Sequence, residues 1–393
     1  MKTNFDIIVI GVGSMGSSTC YQLAKQGYEV LGLEQFDIPH DQGSHAGQSR
    51  IIRKAYFEHP DYVPLLQRAY ENWKQLEAAA NTQVYFPTGL LYAGQPDDIL
   101  IKGVRASAAT YQLEVQSLSR AETKKRFPAF QIPDSYEVLF EPDAGFLTPE
   151  RCVTVYTDQA IRLGATVRAK EKVLEWKKEG ERMVVKTNKG NYQCQKLVIT
   201  AGPWAGQLIP SLHAKLTVTR QAIAWVNTQQ PASYALGNFP CWLIDDHTRP
   251  GMYYGFPQLP VAQFGAPIGM KLAYHYPGDV SQPDQVNRVI SVDDEEHLVQ
   301  ALHRFLPNAY AATHTMKTCL YTNTPDEHFV IDFLPGHDQR VAIAAGFSGH
   351  GFKFVSVVGE IMADLATKGK TDLPIAFLNA QRLHALRSFS EGG

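Results

Sequence analysis

The sequence predicts a two-domain protein that combines an α/β domain, built on a parallel sheet, with an α+β domain, built on a mixed or antiparallel sheet. Two observations support this prediction. Short apolar, β-branched runs at residues 5–10, 197–201 and 341–345 are each followed by glycine, and fully apolar runs are typical of buried parallel strands. Between them, stretches such as 215–226 alternate apolar and polar residues, as strands with one open face do.

The composition is that of an ordinary globular protein. With 393 residues and 44% apolar content, the chain can supply two hydrophobic cores. The 37 Lys and Arg nearly balance the 39 Asp and Glu, a formal net charge of −2, so no field favours nucleic acid or an anionic membrane. We therefore expect small-molecule partners, with neither nucleic acid nor membrane among them.

Cysteine usage and the chain ends indicate the compartment. The five cysteines have no CxxC spacing, which argues against a disulfide framework and against a zinc site. The N-terminal apolar run is too short for a signal peptide or a membrane span, and the terminal EGG matches no peroxisomal signal. We expect a soluble, cytoplasmic protein without a metal site.

The elements of the first domain begin with a β-α-β unit. Residues 5–10 are predicted as a strand, residues 15–27 as a helix from their apolar spacing, and residues 28–34 as a second strand. The later strands at 197–201 and 341–345 would join the same sheet. The sheet is therefore expected to be assembled from three distant parts of the chain.

The second domain is predicted as two insertions into the first. Segments of alternating or Pro-, Gly- and Tyr-rich character interrupt the glycine-terminated strands. On this pattern the first domain comprises 1–81, 146–215 and 321–393, and the second comprises 82–145 and 216–320.

A glycine motif follows the first strand directly. Gly11, Gly13 and Gly16 spell G-x-G-x-x-G at the opening of the helix, with Ser14 and Met15 between them. The first glycine allows a tight turn, the second lets a pyrophosphate approach the backbone, and the third lets helix and strand pack closely. The free N–H groups of the helix terminus favour an anion, so the motif predicts a Rossmann-like dinucleotide site.

The end of the second strand carries the matching acid. Glu34 lies where a carboxylate accepts hydrogen bonds from ribose hydroxyls. No arginine for a 2′-phosphate follows at 35–37, which disfavours NADP. FAD and NAD share this fingerprint, and the N-terminal unit alone leaves the choice open.

Two later glycine turns favour FAD. One contains Gly202, and the other contains Gly346, Gly349 and Gly351 with a single cation, Lys353. An extended FAD needs one surface for its adenylate and another for its isoalloxazine. A late return of the chain to the same sheet is therefore expected for FAD.

Four parts of the sequence carry a family resemblance: GSHAGQSRIIRKAY at 43–56, YYGFP at 253–257 with KLAYH at 271–275, CLYTNTPDEHFVID at 319–332 and GFSGHGFKF at 346–354. They resemble the monomeric sarcosine oxidase and N-methyltryptophan oxidase family, flavoproteins that oxidise N-methyl or other secondary amino acids. The resemblance implies a monomeric two-domain flavoprotein with a Rossmann-like FAD-binding domain and a substrate domain.

The resemblance also implies a covalent cofactor. Cys319 matches the cysteine that holds FAD through a thioether on the 8α-methyl carbon, and the alternative is a buried free cysteine. Ser44 and His45 match a loop that contacts the flavin.

Four cations acquire roles from the same resemblance. Arg53 and Lys353 match residues that bind the substrate carboxylate, which suits a guanidinium fork and a point ammonium. Lys271 matches a lysine that activates oxygen, and Arg50, like Lys353, would stabilise the reduced anionic flavin. The alternative is an ordinary solvated cation for Arg53 and Lys353, and a surface lysine on a strand for Lys271.

Aromatic residues complete the predicted site. Tyr254 and Tyr321 match residues lining the substrate cavity, and His275 matches an active-site histidine, with a structural histidine as the alternative. Adjacent residues of a strand point to opposite faces, so one of Tyr253 and Tyr254 must point away from the cavity. We assign Tyr254 to the cavity side by resemblance alone.

Two departures from the family pattern are visible. Ala46 and Gln48 stand where the pattern GSHHGDTR has histidine and aspartate, and the connection at 258–270 is longer than expected. Substrate access or size preference is expected to differ there.

The predicted reaction is FAD-dependent oxidation of a secondary amino acid to an imine, which hydrolyses to an aldehyde and an amine, with O2 reduced to H2O2. Three alternatives remain: a flavin dehydrogenase with another electron acceptor, a flavin-binding protein without turnover, and an NAD dehydrogenase.

Overall fold

The computed structural model describes residues 2–276 and 278–386; residues 1, 277 and 387–393, which fall within the predicted domains, lie outside the described residues. In chain order the strands are β1 Asn4–Ile10, β2 Val30–Leu33, β3 Arg50–Ile52, β4 Tyr85–Pro87, β5 Leu90–Gly94, β6 Gln116–Leu118, β7 Glu137–Glu141, β8 Gly145–Leu147, β9 Thr166–Arg168, β10 Val173–Glu179, β11 Arg182–Thr187, β12 Asn191–Ile199, β13 Thr217–Asn227, β14 Cys241–Asp245, β15 Met252–Gly255, β16 Met270–His275, β17 Ala312–Asn323, β18 Val330–Phe333 and β19 Val341–Ala345. The helices are α1 Ser14–Lys25, α2 Val63–Ala80, α3 Ile99–Tyr111, α4 Arg120–Arg126, α5 Pro149–Arg162, α6 Ala205–Leu208, α7 Val261–Phe264, α8 Val292–Phe305 and α9 Val355–Lys368.

The first sheet confirms the predicted convergence of distant segments. Strand β1 pairs in parallel with β2 on one side and with β12 on the other, and β12 pairs in parallel with β19. Strand β9 continues the parallel part, while β10, β11 and β18 add antiparallel edges. The carboxyl ends of β1, β12 and β19 therefore meet at one edge of a mostly parallel sheet.

The apolar runs of this sheet are buried on both faces. Along β1, Ile7 and Val9 pack into a core shared with α1, α2, α5 and α9, and Ile8 and Ile10 pack into a second core on the opposite face. Successive side chains of a strand point to opposite faces. A continuous apolar run is thus what a doubly covered strand requires.

The second sheet is mixed, with strand order β17-β13-β16-β15-β14-β5-β7-β6. All neighbouring pairs are antiparallel except β14 with β5. The expectation of one open face is wrong for its central strands. Val226 faces a core completed by α8, whereas Ile223 and Trp225 face a cluster that includes Cys319. Both faces of this sheet are therefore covered, one by the core with α8 and the other by the predicted site.

A small third sheet connects segments from both predicted domains. Strand β8 pairs with β3 and with β4, and β17 continues to Asn323, past the predicted boundary after residue 320. The domain boundaries themselves stay a prediction. Among the described residues, no helix combines the length and apolarity needed to cross a membrane.

Candidate active site

The glycine turn between β1 and α1 has the close packing that its motif predicts. A Cβ atom on Gly16 would lie 1.8 Å from the carbonyl oxygen of Gly11 and 2.7 Å from Thr200 Oγ1. Thr200 follows β12, so the turn packs against the neighbouring strand of the sheet. Position 16 therefore admits only glycine, as close contact between helix and strand requires.

Glu34 follows β2 beside this turn. Its carboxylate accepts the Val12 N–H at 3.0 Å and the Phe36 N–H at 3.1 Å. Burial raises the pKa of Glu34 to about 6, and the backbone hydrogen bonds oppose that rise. Glu34 thus holds the glycine turn in place. It also borders a large cavity.

One cavity extends from the glycine turn to the second sheet. It is bordered by most of the predicted site residues: Gly11, Gly13, Ser14, Met15, Glu34, Ser44, His45, Arg50, Gly202, Tyr254, Cys319, Tyr321, Gly346, Gly349 and Gly351. The other predicted residues do not border it: Gly16, Lys271, His275, Arg53 and Lys353.

The lining fits a long ligand that carries polar groups. His45 Nε2 and Thr322 Oγ1 are buried without a hydrogen-bond partner, and both residues border the cavity. Buried polar atoms are normally paired, so a bound molecule with donors and acceptors would satisfy them. A dinucleotide such as FAD has these properties, and Glu34 and Cys319, which both border the cavity, would hold different parts of it.

Cys319 lies on β17 at the far end of the cavity and is 3% exposed. Burial raises the pKa of its thiol, while Arg50, Lys271 and Arg288 act to lower it. The other four cysteines are also buried and free, but none of them borders this cavity. The lining thus singles out the cysteine that the family resemblance selects.

Two cations hold the loop at 44–49. Arg50 donates to the carbonyl oxygens of Ser44, Ala46 and Ser49 at 3.0, 2.6 and 2.9 Å. Lys271 is 1% exposed and donates to the carbonyl oxygen of Gly47 at 2.7 Å. It is not a surface lysine, and its partner Gly47 lies in the loop that Arg50, a residue of the cavity lining, also binds.

Lys271 also lies among aromatic rings, with its Nζ 4.5 Å from the ring centroid of Phe256 and 5.8 Å from that of Trp225. Burial lowers its pKa well below the ordinary value, and the charge of Arg50 lowers it further. The charged form of Lys271 is therefore less favoured here than in water.

Arg53 and Lys353, distant in sequence, lie in one buried cluster. They are 3% and 5% exposed, and both approach the ring of Tyr56, at 4.4 and 5.1 Å from its centroid. Arg53 Nη2 donates to both carboxylate oxygens of Glu58, at 2.6 and 2.7 Å. Lys353 Nζ donates to the carbonyl oxygen of His350 at 2.6 Å. Neither residue is a solvated surface cation.

The charges of this cluster act on one another. Burial and, to a smaller extent, the charge of Arg53 lower the pKa of Lys353 to about 7, although Glu58 acts to raise it. Burial acts to raise the pKa of Glu58, but Arg53 and other cations outweigh it and hold that pKa at about 2. Glu58 is thus a carboxylate throughout the physiological range, and Lys353 exchanges its proton near neutrality.

His275 joins this cluster to the cavity. Its Nδ1 is hydrogen-bonded to the hydroxyl of Tyr321 at 3.2 Å, and Tyr321 borders the cavity. Burial lowers the pKa of His275 to about 4, and the charges of Glu58, Lys353 and Arg53 also act on it. The neutral ring therefore lies between the cation cluster and Tyr321.

The two tyrosines face the cavity, as expected. Tyr254 borders it, whereas Tyr253 packs into the core on the other face of the second sheet. A Cβ atom on Gly349 would lie 2.3 Å from the Tyr321 ring. The glycine-rich turn after β19 is thus needed to let Tyr321 reach its position.

Sequence reasoning missed two acidic residues of the site. Glu58 pairs with Arg53, and Glu150 accepts the backbone N–H groups of Gly47 and Gln48. Glu58 lies five residues after its partner, so nearby opposite charge was a usable signal. Glu150 lies in the first turn of α5, about a hundred residues from its partners, and no local pattern connects them.

Comparison with known proteins agrees with this geometry. Residues 6–365 match the family described as DAO, FAD dependent oxidoreductase. The chain belongs to this family. It is therefore an FAD-dependent oxidoreductase, which confirms the predicted flavin cofactor and leaves its mode of attachment open.

Relatives within the family are similar along nearly their whole length. The flavoprotein is 38% identical over 387 residues to the monomeric sarcosine oxidase of Bacillus sp. strain NS-129, covering 97% of this chain and 98% of the relative. It is 35% identical over 370 residues to the N-methyl-L-tryptophan oxidase of Citrobacter koseri, covering 93% and 95%. The solved structure of NikD, an unusual amino acid oxidase essential for nikkomycin biosynthesis, matches with a TM-score of 0.84, 26% identity and 98% coverage of both chains. The predicted family and the predicted two-sheet flavoprotein fold are confirmed.

Proposed function

We propose that this flavoprotein is an oxidase of N-methyl or other secondary amino acids. The observation that carries the proposal is the burial of Arg53 and Lys353 in one cluster around Tyr56. This cluster acts on His275, which is hydrogen-bonded to Tyr321 of the cavity lining. Two convergent buried cations suit an anionic substrate. The names of the relatives, sarcosine oxidase and N-methyl-L-tryptophan oxidase, supply the substrate class.

Substrate binding is assigned to the cation cluster. Arg53 and Lys353 would hold the carboxylate of the amino acid, which orients the C–H bond to be broken. Glu58 offsets part of their charge before the substrate arrives, since it accepts two hydrogen bonds from Arg53. Tyr254 and Tyr321 would cover the amine with apolar ring surface while the buried setting excludes water.

The chemistry divides between the cofactor and the chain. Bound FAD supplies a two-electron acceptor for the C–N oxidation and a donor for O2, which leaves as H2O2. The imine product hydrolyses to an aldehyde and an amine. Arg50, which borders the cavity, and Lys271, when protonated, would stabilise the negative charge that develops during oxygen reduction. Cys319 would hold the flavin through a thioether, and a monomeric, cytoplasmic enzyme stays the prediction.

The decisive experiment mixes the purified holoenzyme with sarcosine and a panel of N-methyl amino acids without oxygen. We expect flavin bleaching, and on admission of air one H2O2 per substrate oxidised. A protein that bleaches but passes electrons to a dye and not to O2 would be a dehydrogenase. A protein that no secondary amino acid bleaches would contradict the proposal.

A further inference from the structure

Two consecutive peptide groups in the loop at 44–49 are bonded on both of their sides. The Ala46 carbonyl accepts from Arg50, and the N–H of the same peptide group, on Gly47, donates to Glu150 at 2.7 Å. In the next peptide group, the Gly47 carbonyl accepts from Lys271, and the Gln48 N–H donates to Glu150 at 3.1 Å. Each cation is thus connected to the same carboxylate through one peptide group.

This arrangement aligns the charges with the peptide dipoles. The carbonyl oxygens point to the cations and the N–H groups point to the anion, so each hydrogen bond polarises the peptide group and strengthens the other. Charge-assisted hydrogen bonds are also stronger than neutral ones. Glu150 therefore acts on Arg50 and Lys271 without touching either of them.

The position of Glu150 favours its charged form. It lies in the first turn of α5, where the helix dipole stabilises a negative charge. Burial acts to raise its pKa, but the hydrogen bonds from Gly47 and Gln48 and the charge of Arg50 outweigh burial, and the pKa is lowered. An ionised carboxylate is thus available to this loop.

We propose that Glu150 is a positioning residue, which holds the Arg50 and Lys271 cations beside the cofactor cavity through the Ala46–Gly47 and Gly47–Gln48 peptide groups. The role in oxygen reduction that this gives Glu150 rests on the proposed function. Its effect on Lys271 does not, because that effect follows from the contacts alone.

Several groups face Lys271 and must be considered in any pH dependence. Arg50 on β3 lowers the pKa of Lys271, whereas Glu150 on α5, Cys319 on β17 and Cys241 on β14 raise it. Of these, Glu150 is the carboxylate. Removing its charge should lower the pKa of Lys271, so that the ammonium is lost at a lower pH.

Glu77 provides a matched control in the same molecule. Its carboxylate oxygen accepts two consecutive backbone N–H groups, those of Val84 and Tyr85, both at 2.8 Å. It does not border the cofactor cavity. Glu77→Gln therefore reproduces the loss of a loop-holding carboxylate without altering the environment of Lys271.

The test titrates the oxidised holoenzyme with sulfite across pH, because the affinity of flavin for this anion reports the positive charge nearby. We expect the wild type to show a pH step that disappears in Lys271→Met and persists in Lys353→Met. In Glu150→Gln the step should move down by roughly half a unit to one unit, and in Glu77→Gln it should stay in place. If Glu150→Gln loses its flavin, Glu150→Asp, which withdraws the carboxylate by one methylene, should shift the step in the same direction.

The inference is overturned if the wild type has no Lys271-dependent step, if the step is unmoved in Glu150→Gln, or if Glu77→Gln moves it equally. Sulfite binding needs neither an amino acid nor O2. A failure of the proposed function would therefore leave this result unaffected. In a wild type that does form H2O2, Glu150→Gln should also slow flavin reoxidation about tenfold while changing reduction less than about twofold.

Discussion

Lys353 shows how burial at a single residue creates a chemical property. Its ammonium is enclosed with Arg53, Glu58 and the Tyr56 ring, and its pKa is lowered to about 7 chiefly by burial. A lysine on the surface would stay charged across the whole physiological range. Here the charge that would bind a carboxylate is present below neutrality and is lost as pH rises through about 7.

This leads to a pH prediction for carboxylate binding. The dissociation constant of propionate, which has no amine, should rise as pH rises through about 7, because the ammonium of Lys353 is then lost. In Lys353→Met binding should be weaker by about tenfold or more at low pH and should no longer depend on pH. Flavin difference spectra measure the affinity. The control is Lys196→Met, since this lysine is bonded to the Gln339 carbonyl and lies outside the cavity lining. A wild-type affinity that does not change with pH would contradict the role of Lys353 in carboxylate binding.

A second residue-scale prediction concerns Cys319. Because its thiol is the one that borders the cavity, Cys319→Ala should yield protein whose flavin stays in the supernatant after acid precipitation. Wild type should give a yellow pellet. Cys194→Ala removes a buried cysteine that does not border the cavity and should keep the yellow pellet. A colourless wild-type pellet would show that the flavin is not covalently bound.

At the scale of elements, the glycine turn couples β1, α1 and β12. Gly16→Ala places a methyl group 1.8 Å from the Gly11 carbonyl oxygen, so the helix must move away from the strand and the dinucleotide end of the cavity must distort. We expect purified Gly16→Ala to contain less than about a tenth of the wild-type flavin, measured by the ratio of visible to protein absorbance.

Gly190→Ala is the matched control for this substitution. Its Cβ atom would meet no atom closer than 3.5 Å, so flavin content should be unchanged. Full flavin occupancy in Gly16→Ala would contradict the close-packing argument.

The two departures from the family pattern meet in one place. Gln48 Nε2 donates to the carbonyl oxygens of Gly265 and Pro267, at 3.2 and 3.0 Å, and its Oε1 accepts from Trp225 Nε1 at 3.0 Å. The connection between β15 and β16, which contains α7, is thus tied to the loop at 44–49. The sequence alone shows that Gln48 and the long β15–β16 connection are unusual, but only the folded structure shows that they are in contact.

At the scale of the whole molecule, the cofactor cavity joins the two large sheets. Its lining includes Gly11 after β1, Gly202 after β12 and Gly346 after β19 on one side, and Cys319 of β17 on the other. A ligand bound there contacts both sheets at once. Binding to the folded state alone adds to stability through mass action.

Flavin removal should therefore destabilise the entire protein. Apoprotein prepared from Cys319→Ala should melt several degrees below the same variant reloaded with FAD at about 100 times its dissociation constant, which corresponds to about 2.7 kcal/mol. Scanning calorimetry with and without added FAD measures the difference. Equal melting temperatures would mean that the sheets hold together without the cofactor.

Local pattern alone determined much of this protein. The glycine motif and the apolar strands at 5–10 and 341–345 followed from residues adjacent in sequence, since turn geometry and strand burial depend on near neighbours. FAD was favoured over NAD by two later glycine turns and by the family resemblance. The tertiary structure decided what depends on distant neighbours. It covered both faces of the second sheet, enclosed Lys353 so that its pKa falls, brought Glu58 close to Lys353, and brought Glu150 to the loop that Arg50 and Lys271 bind. Burial and charge pairing act through space, and residues a hundred positions apart leave no periodic mark in the sequence.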